Sequence, residues 1–172
     1  MNNKKLVDII NELKKFDSKV LDLNEPLTNL ELIYKFEITN KVILPNDYKE
    51  FIKEINGFSL MGIEVYGVLP EDNPNSLFSI YDYEHNYIKV TQYDYLVPFS
   101  PDGGGNFYCF DTRSLNNETD ICPIVFWVSN YEYTESDQPE IVNADFLEFI
   151  QEVVIEWTLE DYDYNGNEKW KL

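Results

Sequence analysis

Apolar residues recur at three- and four-residue steps near the start of the chain, and lysines occupy the opposite side of the repeat. Residues three or four apart share one face of an α-helix. The spacing therefore predicts an amphipathic helix within residues 1–20. Its apolar positions are Leu6, Ile9, Ile10, Leu13 and Phe16.

Two shorter helices are predicted next. Thr28 and Glu31 have the spacing of a capping box and predict a helix that runs toward Ile38. A third helix is expected to start at Pro45, because proline fits a first helical turn and Asp47 suits the positive end of the helix dipole. Asn56 and Gly57 are expected to end it, and its apolar stripe is Tyr48, Phe51, Ile52 and Ile55.

From Phe58 onward the apolar runs become short and rich in aromatic and β-branched residues, which is typical of strands. Strands are predicted within residues 63–68, 78–81, 87–90, 95–99, 107–110 and 124–128. A last helix, capped by Asn143, is expected to bury Phe146, Phe149, Ile150, Val153 and Trp157. The order predicts one α+β domain over residues 1–172, with N-terminal helices and one C-terminal helix packed on one face of a mainly antiparallel sheet.

Three consecutive glycines, Gly103, Gly104 and Gly105, separate two of the predicted strands. Glycine adopts positive φ without steric cost, so the run predicts a tight hairpin turn. The spacing excludes a phosphate-binding loop, because a strand rather than a helix follows the glycines.

The net charge of −19 is distributed unevenly. Nine Lys balance nine Asp and Glu through Lys53, so the remaining residues carry the whole charge. Such an acidic surface argues against binding to nucleic acid or to an anionic membrane and favours a basic protein partner. Aromatic residues make up 16% of the chain and supply amphipathic rings for a contact surface.

The two cysteines, Cys109 and Cys122, lie in apolar runs without nearby histidine ligands. This predicts buried reduced thiols and neither a disulfide nor a zinc site. The opening residues lack the apolar core of a secretion signal, and no run is long enough to span a bilayer. We expect a cytoplasmic protein without a metal or another cofactor, and a monomer or weak dimer.

Four segments in a fixed order resemble the SUKH superfamily of Smi- and Knr-type proteins. The similarity covers about residues 28–155, leaving an acidic tail at residues 161–172. The sequence departs from the pattern at Phe58, where many relatives have a second glycine. The residues that carry the resemblance are Leu44, Pro45, Tyr48, Phe51, Asn56, Gly57, Gly103, Gly104, Gly105, Trp127, Phe146 and Phe149.

The resemblance implies an α+β fold around an antiparallel sheet, without known catalytic residues. Bacterial members neutralise toxins that are often nucleases, and fungal members regulate the cell wall. It therefore implies a non-catalytic protein that binds a cognate toxin, with a regulatory scaffold as the alternative. The expected acidic contact residues, chosen for loop placement in the acidic part, are Asp72, Asp82, Glu84, Asp94 and Asp102. The expected aromatic contact residues, chosen because tyrosine is a typical interface anchor, are Tyr81, Tyr83, Tyr87, Tyr93, Tyr131 and Tyr133.

Enzyme activity has weaker support in the sequence. His85 is the single histidine, expected in a loop between strands, and no paired nucleophile accompanies it. Asp102 and Asp111 flank the glycines and form the other candidate pair for an orphan hydrolase. Residues 161–166 match the first half of a calcium loop, but the twelfth position is Leu172 instead of glutamate, which favours a disordered tail.

Overall fold

Helices and short strands alternate along the chain in the computed structural model, which describes residues 3–115, 120–134 and 136–171. The α-helices are α1 (Asn3–Leu13), α2 (Glu31–Asn40), α3 (Asn46–Ile52), α4 (Leu77–Asn86), α5 (Phe146–Phe149) and α6 (Trp157–Asp161). A π-helical segment (Ile150–Glu156) joins α5 to α6, and 3₁₀ turns occupy Thr112–Ser114 and Lys169–Lys171. The strands are β1 (Leu21–Leu23), β2 (Phe58–Leu60), β3 (Ile63–Val65), β4 (Leu96–Pro101), β5 (Phe107–Asp111), β6 (Ile124–Trp127) and β7 (Glu140–Asn143).

The strands form two antiparallel sheets. One has the order β1-β2-β3 and the other the order β4-β5-β6-β7. The sheets are linked where the backbone N–H of Tyr66, just after β3, donates to the carbonyl of Phe99 in β4 at 2.8 Å. The α+β class with a mainly antiparallel sheet is thus confirmed.

The predicted α1 and α3 are confirmed together with their buried faces. Leu6, Ile9, Ile10 and Leu13 of α1 are buried, and so is Phe16, which follows the helix. Pro45 precedes α3 in an extended conformation, and Tyr48, Phe51 and Ile52 are buried as expected. The helix ends at Ile52 and not at Asn56 and Gly57, so Ile55 is buried but lies beyond it. Asp47 is itself buried, and its carboxylate accepts hydrogen bonds from the N–H groups of Tyr48 and Phe146 at 2.9 and 3.0 Å. One carboxylate therefore ties the start of α3 to the start of α5.

The glycine-rich hairpin between β4 and β5 is also confirmed. Gly103 and Gly105 have φ of 78° and 95°, in the region that favours glycine. The Asp102 carboxylate accepts hydrogen bonds from the N–H groups of Gly104 at 2.7 Å and Asn106 at 2.9 Å. The acidic residue before the glycines thus stabilises the turn.

The four-stranded sheet has a packed layer on each face. On one side, rings from α5 pack against the strands, with the Phe99 ring 5.6 Å from Phe146 and 5.0 Å from Phe149. On the other, Trp127 and Cys109 belong to a separate buried cluster covered by α4 and loop residues, including Ile80, Tyr93, Tyr95 and Tyr133. The expectation of helices on one face alone is therefore wrong.

The strands predicted within residues 78–81 and 87–90 are wrong, because residues 77–86 form α4 and residues 87–90 form turns. Ser76 begins the helix, since its Oγ accepts from the N–H of Phe78 at 3.2 Å. The inward positions Leu77, Phe78 and Tyr81 follow a helical period, but the next inward position is Glu84. This charged residue interrupts the apolar periodicity from which the helix would have been predicted.

Two predicted helix starts need correction. Thr28 forms no cap at α2; the side chain of Asn29 accepts instead from the N–H of Glu31 at 3.2 Å. Asn143 belongs to β7, and Asp145 caps α5 by accepting from the N–H of Glu148 at 2.7 Å. In both cases a neighbouring residue with an equivalent side chain takes the role.

Trp157 was expected in the core and is instead 53% exposed. The π-helical segment has i→i+5 hydrogen bonds and more residues per turn than an α-helix. The inward position consequently moves by one residue to Thr158, whose hydroxyl donates to the carbonyl of Val154 at 2.7 Å.

The expected disordered tail is ordered through Lys171. Tyr164 packs edge-on against Phe16 with ring centroids 5.0 Å apart, and its hydroxyl donates to Glu12. The Asp163 carboxylate accepts from the N–H groups of Asn165 and Asn167, which closes a turn. These aromatic and hydrogen-bond contacts hold the tail against the domain despite its acidic composition. Leu172, the twelfth position of the calcium-loop comparison, lies outside the described residues.

Candidate functional site

The helix α4 divides its aromatic side chains between two faces. Tyr81 points inward, 6% exposed, and its hydroxyl donates to the carbonyl of Asp94 at 2.9 Å, so the expectation that it is a surface contact is wrong. Tyr83 and Tyr87 are four residues apart and share the outer face, 53% and 71% exposed. Their rings are stacked with nearly parallel planes, at an interplanar angle of 15° and with centroids 6.4 Å apart. Two of the predicted contact residues therefore form one aromatic pair on the surface.

This pair borders a groove between α2 and α4, which we call the α2–α4 groove. Its volume is about 580 Å³. The ring contact between Phe36 of α2 and Phe78 of α4, at 5.1 Å, holds the two helices together beneath it. The groove is lined by Thr39, Asn40, Glu71, Phe78, Ser79, Asp82, Tyr83 and Tyr87.

The groove is acidic where it meets α4. Asp82 lies between the two tyrosines in sequence and is exposed; its carboxylate accepts from the Asn86 side chain at 2.9 Å. Glu71 forms an exposed ion pair with Lys35 of α2 at 3.0 Å. An exposed ion pair is weak in water, so a partner can replace it. The groove thus combines aromatic rings with two carboxylates. Glu71 is paired with Lys35, whereas Asp82 forms no ion pair with any residue that the structure describes.

Glu84 is 4% exposed and is no surface contact, which corrects the expectation for this residue. Burial raises the pKa of Glu84 to about 7, while a hydrogen bond from the side chain of Gln92, at 3.4 Å, acts against that shift. Gln92 in turn accepts from the Cys109 thiol at 3.7 Å. Glu84 therefore belongs to the buried layer between α4 and the sheet.

The structure separates the other predicted contact residues from the α2–α4 groove. Asp72 is exposed in the loop before α4, and Asp94 lines a different hollow that also contains Lys41 and Arg113. Tyr93 is half-buried, with its ring 5.3 Å from Tyr95 and 5.6 Å from Trp127.

Asp102 is exposed at the tip of the β4–β5 hairpin. Burial acts to raise its pKa, but the hydrogen bonds from Asn106 and Gly104 outweigh it and hold the pKa below the ordinary value. The Asp102 carboxylate thus forms these hydrogen bonds within its own hairpin turn.

His85 lies in the last turn of α4 and not between strands. Its ring stacks on Tyr81 at 3.8 Å, with Nδ1 2.7 Å from the Tyr81 carbonyl and Nε2 3.2 Å from the Tyr93 carbonyl. The His85 ring therefore connects the backbone of α4, at Tyr81, with the backbone of the following loop, at Tyr93. Asp111 forms an ion pair with Arg113 at 2.6 Å.

The cysteines are buried and form no disulfide, and burial raises the pKa of both thiols. Within residues 3–115, 120–134 and 136–171, no group of three or more His, Cys, Asp or Glu side chains is placed to hold a metal ion. In the same ranges no helix has the length and apolar character needed to cross a membrane.

The contribution of α2 to the groove was missing from the sequence interpretation. Leu30, Tyr34 and Ile38 continue the apolar pattern of α2 but are exposed, at 50%, 71% and 71%. The inward side chains are Ile33 and Phe36. None of the three exposed side chains lines the α2–α4 groove, to which α2 contributes Thr39 and Asn40 from its last turn, and no apolar pattern in the sequence signals those two residues.

Comparison with known proteins agrees with the fold. A family model described as SMI1-KNR4 cell-wall, of the SUKH group, matches residues 30–150, more than half of the chain. A search of curated proteins found no match to this chain. The match includes α2 through α5 and therefore both sides of the α2–α4 groove. On this evidence the chain belongs to the SUKH (SMI1-KNR4) family.

Proposed function

We propose that this chain is an immunity-type protein that binds a cationic toxin enzyme in the cytoplasm and blocks it through the α2–α4 groove. The observation that carries the proposal is the exposed, stacked pair of Tyr83 and Tyr87 beside the exposed carboxylate of Asp82. Membership in the SUKH family supports an immunity-type role.

Physical chemistry favours this surface for an inhibitor. Tyrosine buries a large area with few rotatable bonds and is enriched among the residues that dominate binding energy. The two rings lie nearly parallel, so the pair presents one aromatic surface to a partner.

Electrostatics favour a basic partner. The chain carries a net charge of −19, which accelerates association with a cationic protein. Asp82 then supplies a defined acceptor in the groove for a lysine or arginine of the enzyme. Such an ion pair, once enclosed by the tyrosine rings, loses much of its screening by water.

The test begins with the purified chain as bait in cells where it is native, followed by an activity assay of the recovered enzyme. A stoichiometric amount of the chain is expected to abolish that activity. Asp82→Lys is expected to weaken binding about tenfold or more at low salt, because it places a like charge against the partner. Asp8→Lys makes the same charge change on an exposed position of α1 and is expected to leave binding unchanged.

Two results would contradict the proposal in different ways. Full enzyme activity in the presence of saturating chain overturns neutralisation and favours a regulatory scaffold. Equal affinity of the Asp82→Lys variant and the wild type at low salt overturns the α2–α4 groove as the binding surface.

A further inference from the structure

The strand β7 forms an outer edge of the four-stranded sheet. In the described part of the chain it pairs with β6 alone, so the backbone groups that point away from β6 have no strand partner. The opposite edge strand, β4, is joined to the smaller sheet by the hydrogen bond from Tyr66 to Phe99. An open edge is a template for pairing with another extended chain.

Apolar side chains are exposed along this edge. Ile141 is 64% exposed and Val142 is 37% exposed, on a strand whose first three residues all face solvent. Trp157, turned outward by the π-helical segment, lies beside them. The three side chains surround a hollow of about 380 Å³ that is also lined by Tyr108 and Phe126.

The π-helical segment is what brings the indole to this edge. A regular α-helix would place Trp157 on the inward stripe, and here Thr158 occupies that position. Short π-helical segments are uncommon and occur often at functional sites. The displacement leaves a large aromatic side chain in solvent next to an unpaired strand.

The surroundings of the edge are acidic. Glu140 and Glu152 line the hollow, and no Lys or Arg occurs between residues 131 and 167. The cations near the ends of β7 are already paired, Lys5 with Asp145 at 3.2 Å and Arg113 with Asp111 at 2.6 Å. An occupant with lysine or arginine side chains would complement this charge.

We propose that β7 and Trp157 dock an extended segment of another protein, in which Lys or Arg alternates with apolar residues and which adds a strand to the sheet. Side chains of a strand alternate between its two faces. Apolar residues of the segment would fill the hollow beside Val142 and Trp157, and its cations would meet Glu140 and Glu152.

Charge favours such a partner over a second copy of this chain. Two β7 strands paired antiparallel would bring Glu140 and Glu152 of both copies into the same region, where charges of the same sign repel each other. The proposal does not rest on the proposed function, since the edge and the α2–α4 groove share no lining residue.

The experiment uses the full chain and a short synthetic peptide that alternates lysine with valine. Calorimetry is expected to give binding that weakens as salt rises. Hydrogen exchange followed by mass spectrometry is expected to show new protection over residues 140–143, which a purely electrostatic contact would not produce. Ile141→Lys and Trp157→Ala are each expected to weaken binding about tenfold, while both side chains are exposed enough to leave the fold intact.

The controls separate the competing explanations. Ile43→Lys changes another exposed isoleucine, outside the hollow, and is expected to bind as the wild type does. Successive N–H groups of a strand point to opposite edges, so a peptide with proline at the central valine and another with proline at the neighbouring lysine are compared, and the one that loses an N–H facing β7 is expected not to bind. Equal binding by both proline peptides, or by a glutamate–valine peptide, overturns strand addition by a cationic segment. A dimer in sedimentation that dissociates in Ile141→Lys overturns the choice of occupant in favour of a second copy.

Discussion

The helices α3 and α4 are built from similar aromatic residues and use them in opposite ways. In α3, Tyr48 and Phe51 are fully buried, and the Tyr48 hydroxyl donates to the carbonyl of Tyr66 at 2.8 Å. In α4, the inward ring of Tyr81 is balanced by the outward pair of Tyr83 and Tyr87. Buried rings hold the fold together, whereas exposed rings contribute little to it and remain available for a partner.

Each of the two helices also buries one carboxylate, and the environments differ. Asp47 of α3 accepts hydrogen bonds from two backbone N–H groups, and burial raises its pKa to about 6 against the opposing effect of those bonds. Glu84 of α4 has a single long contact with Gln92, and its pKa rises to about 7. The Asp47 carboxylate connects α3 to α5 through two backbone hydrogen bonds, whereas one long hydrogen bond from Gln92 offsets little of the cost of burying the Glu84 carboxylate.

The largest expected effect comes from removing a buried ring of α3. Phe51→Ala leaves a cavity beside Phe58 and Phe146, whose ring centroids lie 5.9 and 5.3 Å from that of Phe51. We expect a loss of about 3–5 kcal/mol in the free energy of unfolding, measured by urea denaturation. A loss below about 1 kcal/mol would show that the α3 core is loosely packed and would break the contrast with α4.

The next effect tests the buried carboxylate of α3. Asp47→Ala leaves the N–H groups of Tyr48 and Phe146 without their acceptor, and unsatisfied buried donors cost about 1–3 kcal/mol each. We expect a loss of about 2–3 kcal/mol in urea denaturation at neutral pH. Asp8→Ala, at an exposed position of α1, is the control and is expected to change stability by less than about 0.5 kcal/mol.

A pH-dependent effect tests the buried carboxylate of α4. The pKa of Glu84 lies above its ordinary value of 4.5 in the folded chain, so the protonated form is favoured by folding. Its contribution to stability is therefore present below about pH 4.5 and is lost as the pH rises through about 7. In Glu84→Gln this dependence disappears.

The measurement for Glu84 is the difference in unfolding free energy between the Gln variant and the wild type. We expect the difference to move in favour of the variant by about 3 kcal/mol between pH 4.5 and 7.5. Asp47 titrates in both proteins, so its own pH dependence cancels. A difference that stays constant with pH would mean that Glu84 is solvated in the folded chain.

The same contrast explains how far the sequence could be interpreted. In α3, Pro45 marks the start and the apolar stripe has an unbroken helical period, so both the helix and its buried face were predictable. In α4, the run from Phe78 to Tyr81 has the composition of a strand, and Glu84 occupies an inward position where the pattern requires an apolar residue. Local composition therefore favoured strands, and packing against the sheet decided for a helix.

The surface features depend on geometry that no periodic pattern contains. The outward position of Trp157 follows from a change of helical register within residues 150–156, and β7 lacks the alternation of a half-buried strand because its first three residues are exposed. The α2–α4 groove requires knowing that two helices distant in sequence lie side by side. The acidic charge and the tyrosines were visible in the sequence, but their arrangement was not.

The smallest expected effect on stability belongs to the exposed pair of α4. Tyr83→Ala and Tyr87→Ala remove rings that are 53% and 71% exposed, so each is expected to change the unfolding free energy by less than about 0.5 kcal/mol. If these rings anchor a partner, the same variants lose about tenfold or more in affinity, measured by calorimetry with the captured enzyme. Tyr131→Ala removes another exposed ring, outside the α2–α4 groove, and is expected to keep full affinity. Loss of stability without loss of affinity would invert the contrast between α3 and α4, because the outward rings of α4 would then serve the fold instead of a partner.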